Sequence, residues 1–544
     1  MEHSGDPAAV DASRIWLPEL VQRYAERLPP NERAVTLRLV DRATAAQFRG
    51  PQHTTVRLSL PVPHNAFVCR WGSEEALSGL TRSQREQLPR LTARSGSVAN
   101  LEVLLAREDT YSRPLSTHVL IDAAGAGQLE ACRWLRQQGC PWYQGVLRKA
   151  AYGGHQAVCE WLLASGCPWC EWALPAAARG GHVGLVDWLL ANHPSDNPDH
   201  VGWLLAGAAA GCDLPTLQRL HHSCLDIVGT ELSPSSKLVL AAAAAGSPTA
   251  DWRAKVEWLE GRGYPRSASA CKEAAQLHDG RTRLEWLQQR GYPLTPFAAL
   301  MAGASGAVDA LQYVLDADVE LDGQAEKLVH RAAGGGHLAV LQALHARGLF
   351  RARVRGIIAA EAAAQHGCLP VVAWLVKTLG AAAVLSTDVF TAAAGSGISA
   401  FSECNRNELL AWLHERGCPM GVGAGFHSSI SEQGHGMEDG TPYMRALGNG
   451  DLAMLRCLTQ LGCPWGPGGR VFTCAVQRCG DGTILSQAAL PTLAWLLQQV
   501  CPVASRDAEA AAAKSRNAVL LAWVTTWCWA WDVAGLTAAA GCAD

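Results

Sequence analysis

The chain has 544 residues, of which 49% are apolar and only 17% are charged, and its formal net charge is −3. This balance provides no excess of positive charge to attract nucleic acid, so we expect no nucleic acid partner. A low charge content with abundant alanine is typical of helices that are buried on more than one side.

Residues 1–12 contain neither the basic flank nor the apolar centre of a signal peptide, and we predict that they are disordered. Residues 13–50 place apolar side chains at helical spacing. They resemble an F-box through the pairs Leu17-Pro18, Glu19-Leu20, Leu28-Pro29 and Leu39-Val40, with Phe48 where that motif has a tryptophan. The resemblance implies docking on the adaptor of a ubiquitin ligase through Leu17, Pro18, Leu20, Leu28 and Pro29. The alternative is a helical cap that covers the first unit of the array described below.

Residues 51–86 follow a different pattern. The stretch TTVRLSLPVPHNAFVCRW, residues 54–71, alternates apolar and polar positions and contains prolines. This pattern predicts an extended linker or a short pair of strands.

The most informative pattern is an internal repeat of 27 residues. It places glycines at Gly127, Gly154 and Gly181, and tryptophans at Trp134, Trp161 and Trp188. A fixed period in this range is typical of a solenoid built from stacked supersecondary units. We expect the three tryptophans to belong to the core.

Each unit is predicted to be two helices separated by a glycine turn and ended by a Gly-Cys-Pro-Trp stop. The unit resembles the ankyrin repeat at Ala150-Ala151, Gly154-His155, Val158, Trp161-Leu162-Leu163 and Gly166-Cys167. The resemblance implies that His155, His182 and His337 hold the turns by hydrogen bonds. The chain departs from the ankyrin period of about 33 residues, and the missing residues shorten the finger between units.

The degraded pattern continues through residues 87–544, which predicts an all-α, ankyrin-like helical solenoid of about fourteen units. Residues 421–441 are predicted to be a flexible insertion. The apolar stretch 518–543 is similar to a membrane span, but it fits the repeat register and we expect no span.

The 19 cysteines recur with the repeat, as Cys140 and Cys167 show. Packed helices lie roughly 8–10 Å apart, whereas a disulfide needs Cα atoms within about 7 Å. We therefore expect reduced thiols, as in the cytosol or the nucleus.

Catalytic and metal-binding motifs are weak. The Cys167–Cys170 CxxC pair has no second pair, and the His193–His200 loop and the glycine-rich residues 421–425 are typical of ordinary loops. A loose similarity to sphingomyelin phosphodiesterases implies a metal among carboxylates and histidines, and the sequence offers no such cluster. We expect no cofactor, no metal and no enzyme activity.

The sequence thus favours a protein-binding scaffold, with an F-box-type substrate adaptor as the alternative. Its candidate binding residues are Trp142, Trp169 and Trp465, which follow the helix stops. They are interpreted either as plugs between neighbouring units or as aromatic anchors for a partner.

Overall fold

A computed structural model describes residues 16–527 apart from 78–79, 107–115, 194–196, 228–230, 318, 322, 350–352, 397–405, 421–439, 467, 485 and 516. The predictions for residues 1–12, for the glycine-rich insertion up to residue 439 and for residues 528–543 lie outside this range. Every regular element in the described part is a helix.

The N-terminal segment contains five short helices. They are α1 (Pro18–Arg27), α2 (Pro30–Val35), α3 (Arg42–Gln47), α4 (Pro51–Thr54) and α5 (His64–Trp71). Single 3-10 turns follow α2 and α5.

The rest of the described chain consists of helix pairs, each with a first and a second helix. The first seven units are α6–α7 (Arg82–Ser95, Val98–Leu105), α8–α9 (Thr117–Gly125, Leu129–Gln137), α10–α11 (Gly145–Tyr152, Gln156–Ala164), α12–α13 (Ala173–Arg179, Val183–Asn192), α14–α15 (Pro198–Gly211, Leu214–His221), α16–α17 (Pro234–Ala245, Trp252–Gly261) and α18–α19 (Ala268–Ala274, Gly280–Gln289).

Seven further units complete the array, with one extra short helix after the tenth unit. They are α20–α21 (Pro296–Ser305, Val308–Asp316), α22–α23 (Ala325–Gly334, Leu338–Ala346), α24–α25 (Arg353–Gln365, Leu369–Leu379) with the extra α26 (Ala381–Val384), α27–α28 (Thr387–Ala394, Arg406–Glu415), α29–α30 (Thr441–Gly448, Leu452–Gln460), α31–α32 (Arg470–Gly480, Ser486–Gln498) and α33 (Ser505–Lys514) with the helical residues 518–527. The helical solenoid of about fourteen units is therefore confirmed.

The first helices stack on one another from α6 to α33, and second helices pack against the first helix of their own unit. One apolar core runs through all of these units. The paired alanines of the first helices, such as Ala150 and Ala151, are fully buried. Their small side chains let neighbouring helices approach closely, which explains why the pair recurs.

Glycine ends the first helices because the backbone turns into the left-handed region there. Gly127, Gly154 and Gly181 have φ angles of 75°, 76° and 77°, which strain any residue with a Cβ atom. The turn is then fixed by the unit that follows. The Nε2 of His155 lies 3.3 Å from the carbonyl oxygen of Gly125, and the Nε2 of His182 lies 3.1 Å from that of Tyr152.

A carbonyl oxygen only accepts hydrogen bonds, so these histidine nitrogens carry the hydrogen. Other units fill the same role with other side chains. Gln128 donates to the Arg94 carbonyl at 3.2 Å, and Asn449 donates to the Gly395 carbonyl at 3.0 Å. Arg283 donates to the Ala245 carbonyl at 2.8 Å. We call these side chains bridging residues, because each satisfies a carbonyl that the preceding first helix leaves free.

The N-terminal helices form a core of their own. Val21, Ala25, Leu37 and Phe48 make up this small cluster, which is separate from the array core. Trp16 packs against the cluster and donates from its indole nitrogen to the Thr44 hydroxyl at 2.9 Å. Residues 16–48 therefore form a small helical module.

The extended linker or short pair of strands predicted for residues 51–86 is wrong, because α4 and α5 lie within this segment. The apolar positions of this segment instead serve the array core, where Val62, Phe67 and Leu77 are buried. Helix α5 packs against α7. The segment that covers the first unit is thus residues 62–77 rather than the N-terminal module, contrary to the cap interpretation of residues 13–50.

Late units of the array also contact the first unit. The backbone N–H of Arg82 donates to the carbonyl of Asn449 at 2.9 Å, and the buried Arg85 guanidinium donates to the carbonyl of Thr483. The first unit therefore contacts the twelfth and thirteenth units.

Candidate functional site

The tryptophans of the second helices are only partly buried. Val158 and Leu162 of α11 are almost fully enclosed, whereas Trp161 is half-buried at the edge of the same face, as are Trp134 and Trp188 in their units. Since adjacent helix positions are about 100° apart, a residue next to Leu162 points to the side of the buried stripe. These tryptophans were predicted to belong to the core; they pack against it, but from this partly exposed edge position.

The candidate residues Trp142 and Trp169 are half-buried and reach across to the next unit. The Trp142 ring packs edge-on against Trp161 at 6.0 Å between centroids, with the Arg136 guanidinium 4.3 Å from its centroid. The Trp169 ring stacks on His193 at 4.0 Å. Their aromatic faces are therefore largely engaged within the array.

Trp465 is also half-buried, but it packs within its own unit. Its ring stacks on the fully buried Tyr443 at 3.9 Å. The Tyr443 hydroxyl donates to the Cys463 carbonyl at 2.9 Å, which fixes the stop that carries Trp465. All three predicted residues thus contribute packing contacts.

The residues of the F-box-like motif divide by exposure. Leu17 is 49% exposed, Pro18 and Pro29 are exposed, and Leu20 and Leu28 are half-buried. Two further apolar residues that the motif places nearby in sequence are exposed as well, namely Leu39 (75%) and Val40 (55%). The module therefore presents apolar side chains to solvent while it keeps a core of its own.

A surface on the first helices of units three to five was not predicted from the sequence. We call it the aromatic–basic patch, and it consists of Arg148, Lys149, Tyr152, Trp172, Arg179 and Trp203. All six side chains are exposed. Trp172 and Trp203 pack edge to face with centroids 5.3 Å apart, although each remains at least 40% exposed.

These residues share one face because of the repeat register. Trp172, Pro175, Ala176 and Arg179 are spaced i, i+3, i+4 and i+7, which is one side of a helix. Arg148, Lys149 and Tyr152 precede Pro175, Ala176 and Arg179 by one 27-residue period. They therefore lie on the corresponding side of the neighbouring helix α10.

Beneath the patch, the backbones of α12 and α14 pack closely. Added at Gly207 of α14, a Cβ atom would lie 2.4 Å from the Pro175 carbonyl oxygen of α12. Glycine is needed at this position, because any larger residue would push the two helices apart. The tryptophan pair is thus held on a rigid base.

The charges of the patch are mostly positive. Among the described residues, no carboxylate pairs with Arg148 or Arg179, and the Lys149 ammonium lies 5.4 Å from the Tyr152 ring centroid. The nearest acidic side chain in sequence, Glu171, is already paired with His200 at 2.8 Å.

Buried thiols fill the interior of the array. None of the 16 cysteines in the described part of the chain forms a disulfide. Burial raises the pKa of Cys132 to about 12 and that of Cys140 to about 11. These thiols stay protonated at neutral pH, which suits small apolar side chains rather than nucleophiles.

The four candidate metal ligands of the sequence each make other contacts, and they do not form a coordination site together. Cys167 and Cys170 are buried in the array core, His193 stacks on Trp169, and His200 pairs with Glu171. No group of three or more histidine, cysteine, aspartate or glutamate side chains in the described residues is arranged to hold a metal ion. No helix in the same part of the chain has the length and apolarity to cross a bilayer.

No protein-family model matches the chain, and no curated protein matches it either. Among solved structures, it is similar to the crystal structure of the pentatricopeptide repeat protein PPR10 from maize. The two sequences are 12% identical, the alignment covers 93% of this chain and 87% of that chain, and the TM-score is 0.23.

Proposed function

We propose that this helical repeat protein is a non-enzymatic scaffold that binds other proteins through its first-helix face. The observation that supports the proposal is the aromatic–basic patch. Tryptophan, tyrosine and arginine are the residue types enriched at the centres of protein interfaces. Here two tryptophans each remain at least 40% exposed above closely packed helix backbones.

The experiment begins with cross-linking of the full chain in cells, and it continues with reconstitution from purified components. We expect a direct partner whose affinity falls at least tenfold when Trp172→Ala and Trp203→Ala are combined. The matched control is Phe297→Ala, because Phe297 is an exposed aromatic residue on another first helix. Partner binding that is equally sensitive to both changes would contradict the use of this face.

The absence of enzyme activity is part of the proposal and has its own test. Purified full chain should not hydrolyse sphingomyelin, with or without added divalent metal, beyond the rate of heat-denatured chain. Turnover that depends on the folded chain and on metal would overturn the scaffold assignment.

A second function, an F-box-type adaptor, is favoured by the exposed apolar side chains of the N-terminal module. Leu17, Leu39 and Val40 are unusual for the surface of a small module with its own core. Such a surface suits docking on the adaptor of a ubiquitin ligase while the array holds the substrate. The two functions are compatible, because they use different parts of the chain.

Mixing purified full chain with the host's ubiquitin-ligase adaptor tests this function. We expect a complex that the combined Leu17→Ala and Pro18→Ala change abolishes. Ile227→Ala serves as the control, since Ile227 is 69% exposed but lies far along the array. If no complex forms at high concentration, or if the control weakens it equally, the adaptor function is wrong.

A further inference from the structure

The aromatic–basic patch carries information about the chemistry of its partner. Its three cations, Arg148, Lys149 and Arg179, are exposed, and none has a carboxylate partner among the described residues. Cations left unpaired at the edge of an aromatic surface complement acidic groups, and they steer such groups toward the surface.

The shape of the ligand follows from the spacing of the helices. Neighbouring packed helices lie roughly 8–10 Å apart, and an extended peptide in the polyproline II conformation advances about 3.1 Å per residue, with every third side chain on the same side. A peptide that crosses α10, α12 and α14 therefore places every third residue over the next helix. Every third side chain then meets an equivalent position of the repeat, such as the one shared by Tyr152 and Arg179.

We propose that the aromatic–basic patch binds an extended acidic peptide segment that carries an aromatic side chain about every third residue. The carboxylates of the segment pair with Arg148, Lys149 and Arg179. Its aromatic side chains pack against Trp172 and Trp203, where ring pairs contribute beyond the area they bury. This inference rests on the proposed scaffold function, because it specifies the partner's binding segment.

Single-stranded nucleic acid also combines negative charge with rings, but the patch favours a peptide. The two tryptophans pack against each other edge to face, so one ring face is already used, whereas bases stack on open ring faces.

The test uses a fluorescein-labelled peptide of about four Glu-Glu-Tyr repeats, titrated with the full chain in fluorescence anisotropy at low salt. We expect saturable binding that weakens about tenfold in Arg148→Gln/Lys149→Gln and in Trp172→Ala/Trp203→Ala. The matched control is Lys327→Gln/Arg331→Gln, which removes two exposed cations from the first helix α22. All variants change surface residues, and their melting temperatures verify that each one remains folded.

Three outcomes would overturn the inference. They are equal binding of a Lys-Lys-Tyr peptide, equal weakening by the α22 control, and tighter binding of a uridine oligonucleotide of the same length. The partner identified for the proposed scaffold function separates a failure of this inference from a failure of that function. If that partner loses affinity in the tryptophan variant while the acidic peptide does not bind, only this inference fails. The absence of any protein partner, or a partner that binds the patch variants normally, would remove the proposed function itself.

Discussion

Replacing Lys255 by methionine tests how the array tolerates a buried charge. The Lys255 side chain is fully buried in the sixth unit. Its ammonium donates to the Ala209 carbonyl at 3.1 Å, to the Thr249 hydroxyl at 2.7 Å and to the Cys212 carbonyl. It also forms an ion pair with Asp251 at 3.5 Å. Lys255 thus acts as the bridging residue between the fifth and sixth units.

Methionine keeps the length and the apolar stem of lysine but has no hydrogen-bond donor. Each hydrogen bond from a charged group contributes about 1.5–3 kcal/mol, and removing one partner of a buried ion pair typically costs about 3–5 kcal/mol. Methionine also removes the desolvation cost of the ammonium, which burial imposes and which lowers the pKa of Lys255. The two effects oppose each other, so we expect a loss near the lower limit, about 3 kcal/mol.

Urea unfolding of the full chain measures this loss, and hydrogen exchange of peptides from α14 to α17 locates it. Local measurement matters because long repeat arrays do not unfold in a single cooperative step. Lys327→Met is the matched control, since Lys327 is exposed on α22. If the Lys255→Met variant shows the same hydrogen exchange and the same urea unfolding as the parent, the buried hydrogen bonds make no net contribution to the free energy of unfolding. That result would refute the bridging interpretation of Lys255.

Four further predictions concern other parts of the array. Trp161→Ala should lower the free energy of unfolding by about 2 kcal/mol, less than a fully buried tryptophan; a loss above about 4 kcal/mol in urea titration would contradict its half-buried position. Arg85→Ala should release the contact with the thirteenth unit and increase the radius of gyration in small-angle scattering, while an unchanged radius would show that other contacts hold the array closed. A thiol reagent should label the exposed Cys69 rapidly in native protein and should approach all 19 cysteines only after denaturation; rapid native labelling of many thiols would be inconsistent with burial. Trp169→Ala should lower the melting temperature without weakening the binding of the acidic peptide. An unchanged melting temperature with weaker peptide binding would instead make Trp169 a binding anchor.

The fold could be predicted from the sequence where the units repeat closely. The glycines at Gly127, Gly154 and Gly181 mark turns that require positive φ, and that requirement is visible in the residue type itself. Later units are harder to recognise because the bridging role passes from histidine to other residues. Arg283 and Asn449 donate hydrogen bonds to carbonyl oxygens in the same way as His155. The bridging hydrogen bond is therefore kept in units where the histidine of the sequence pattern is absent.

The aromatic–basic patch was missed for a related reason. Trp172 and Trp203 both lie five residues before a buried alanine pair, which is a signal that the sequence does contain. An insertion after Asn192 lengthens the period from 27 to 31 residues at this point, so the two tryptophans do not align at the fixed period. Their equivalence becomes evident only when the units are aligned on the alanines that pack the helices together.

The contact between the first unit and the later units could not be predicted, because no local pattern encodes it. In a solenoid each unit contacts mainly its neighbours, and the small rotation between units accumulates along the array. Arg82 and Asn449 meet only after eleven such steps. A small change in the rotation per unit therefore adds up over these steps and displaces the two ends of the contact. Closure of the array, meaning the contact between the first unit and the twelfth and thirteenth, thus depends on the packing of every bridging residue in between. Loss of a single bridge, such as the one made by Lys255, should then weaken closure even though Lys255 lies far from Arg85 in the stack.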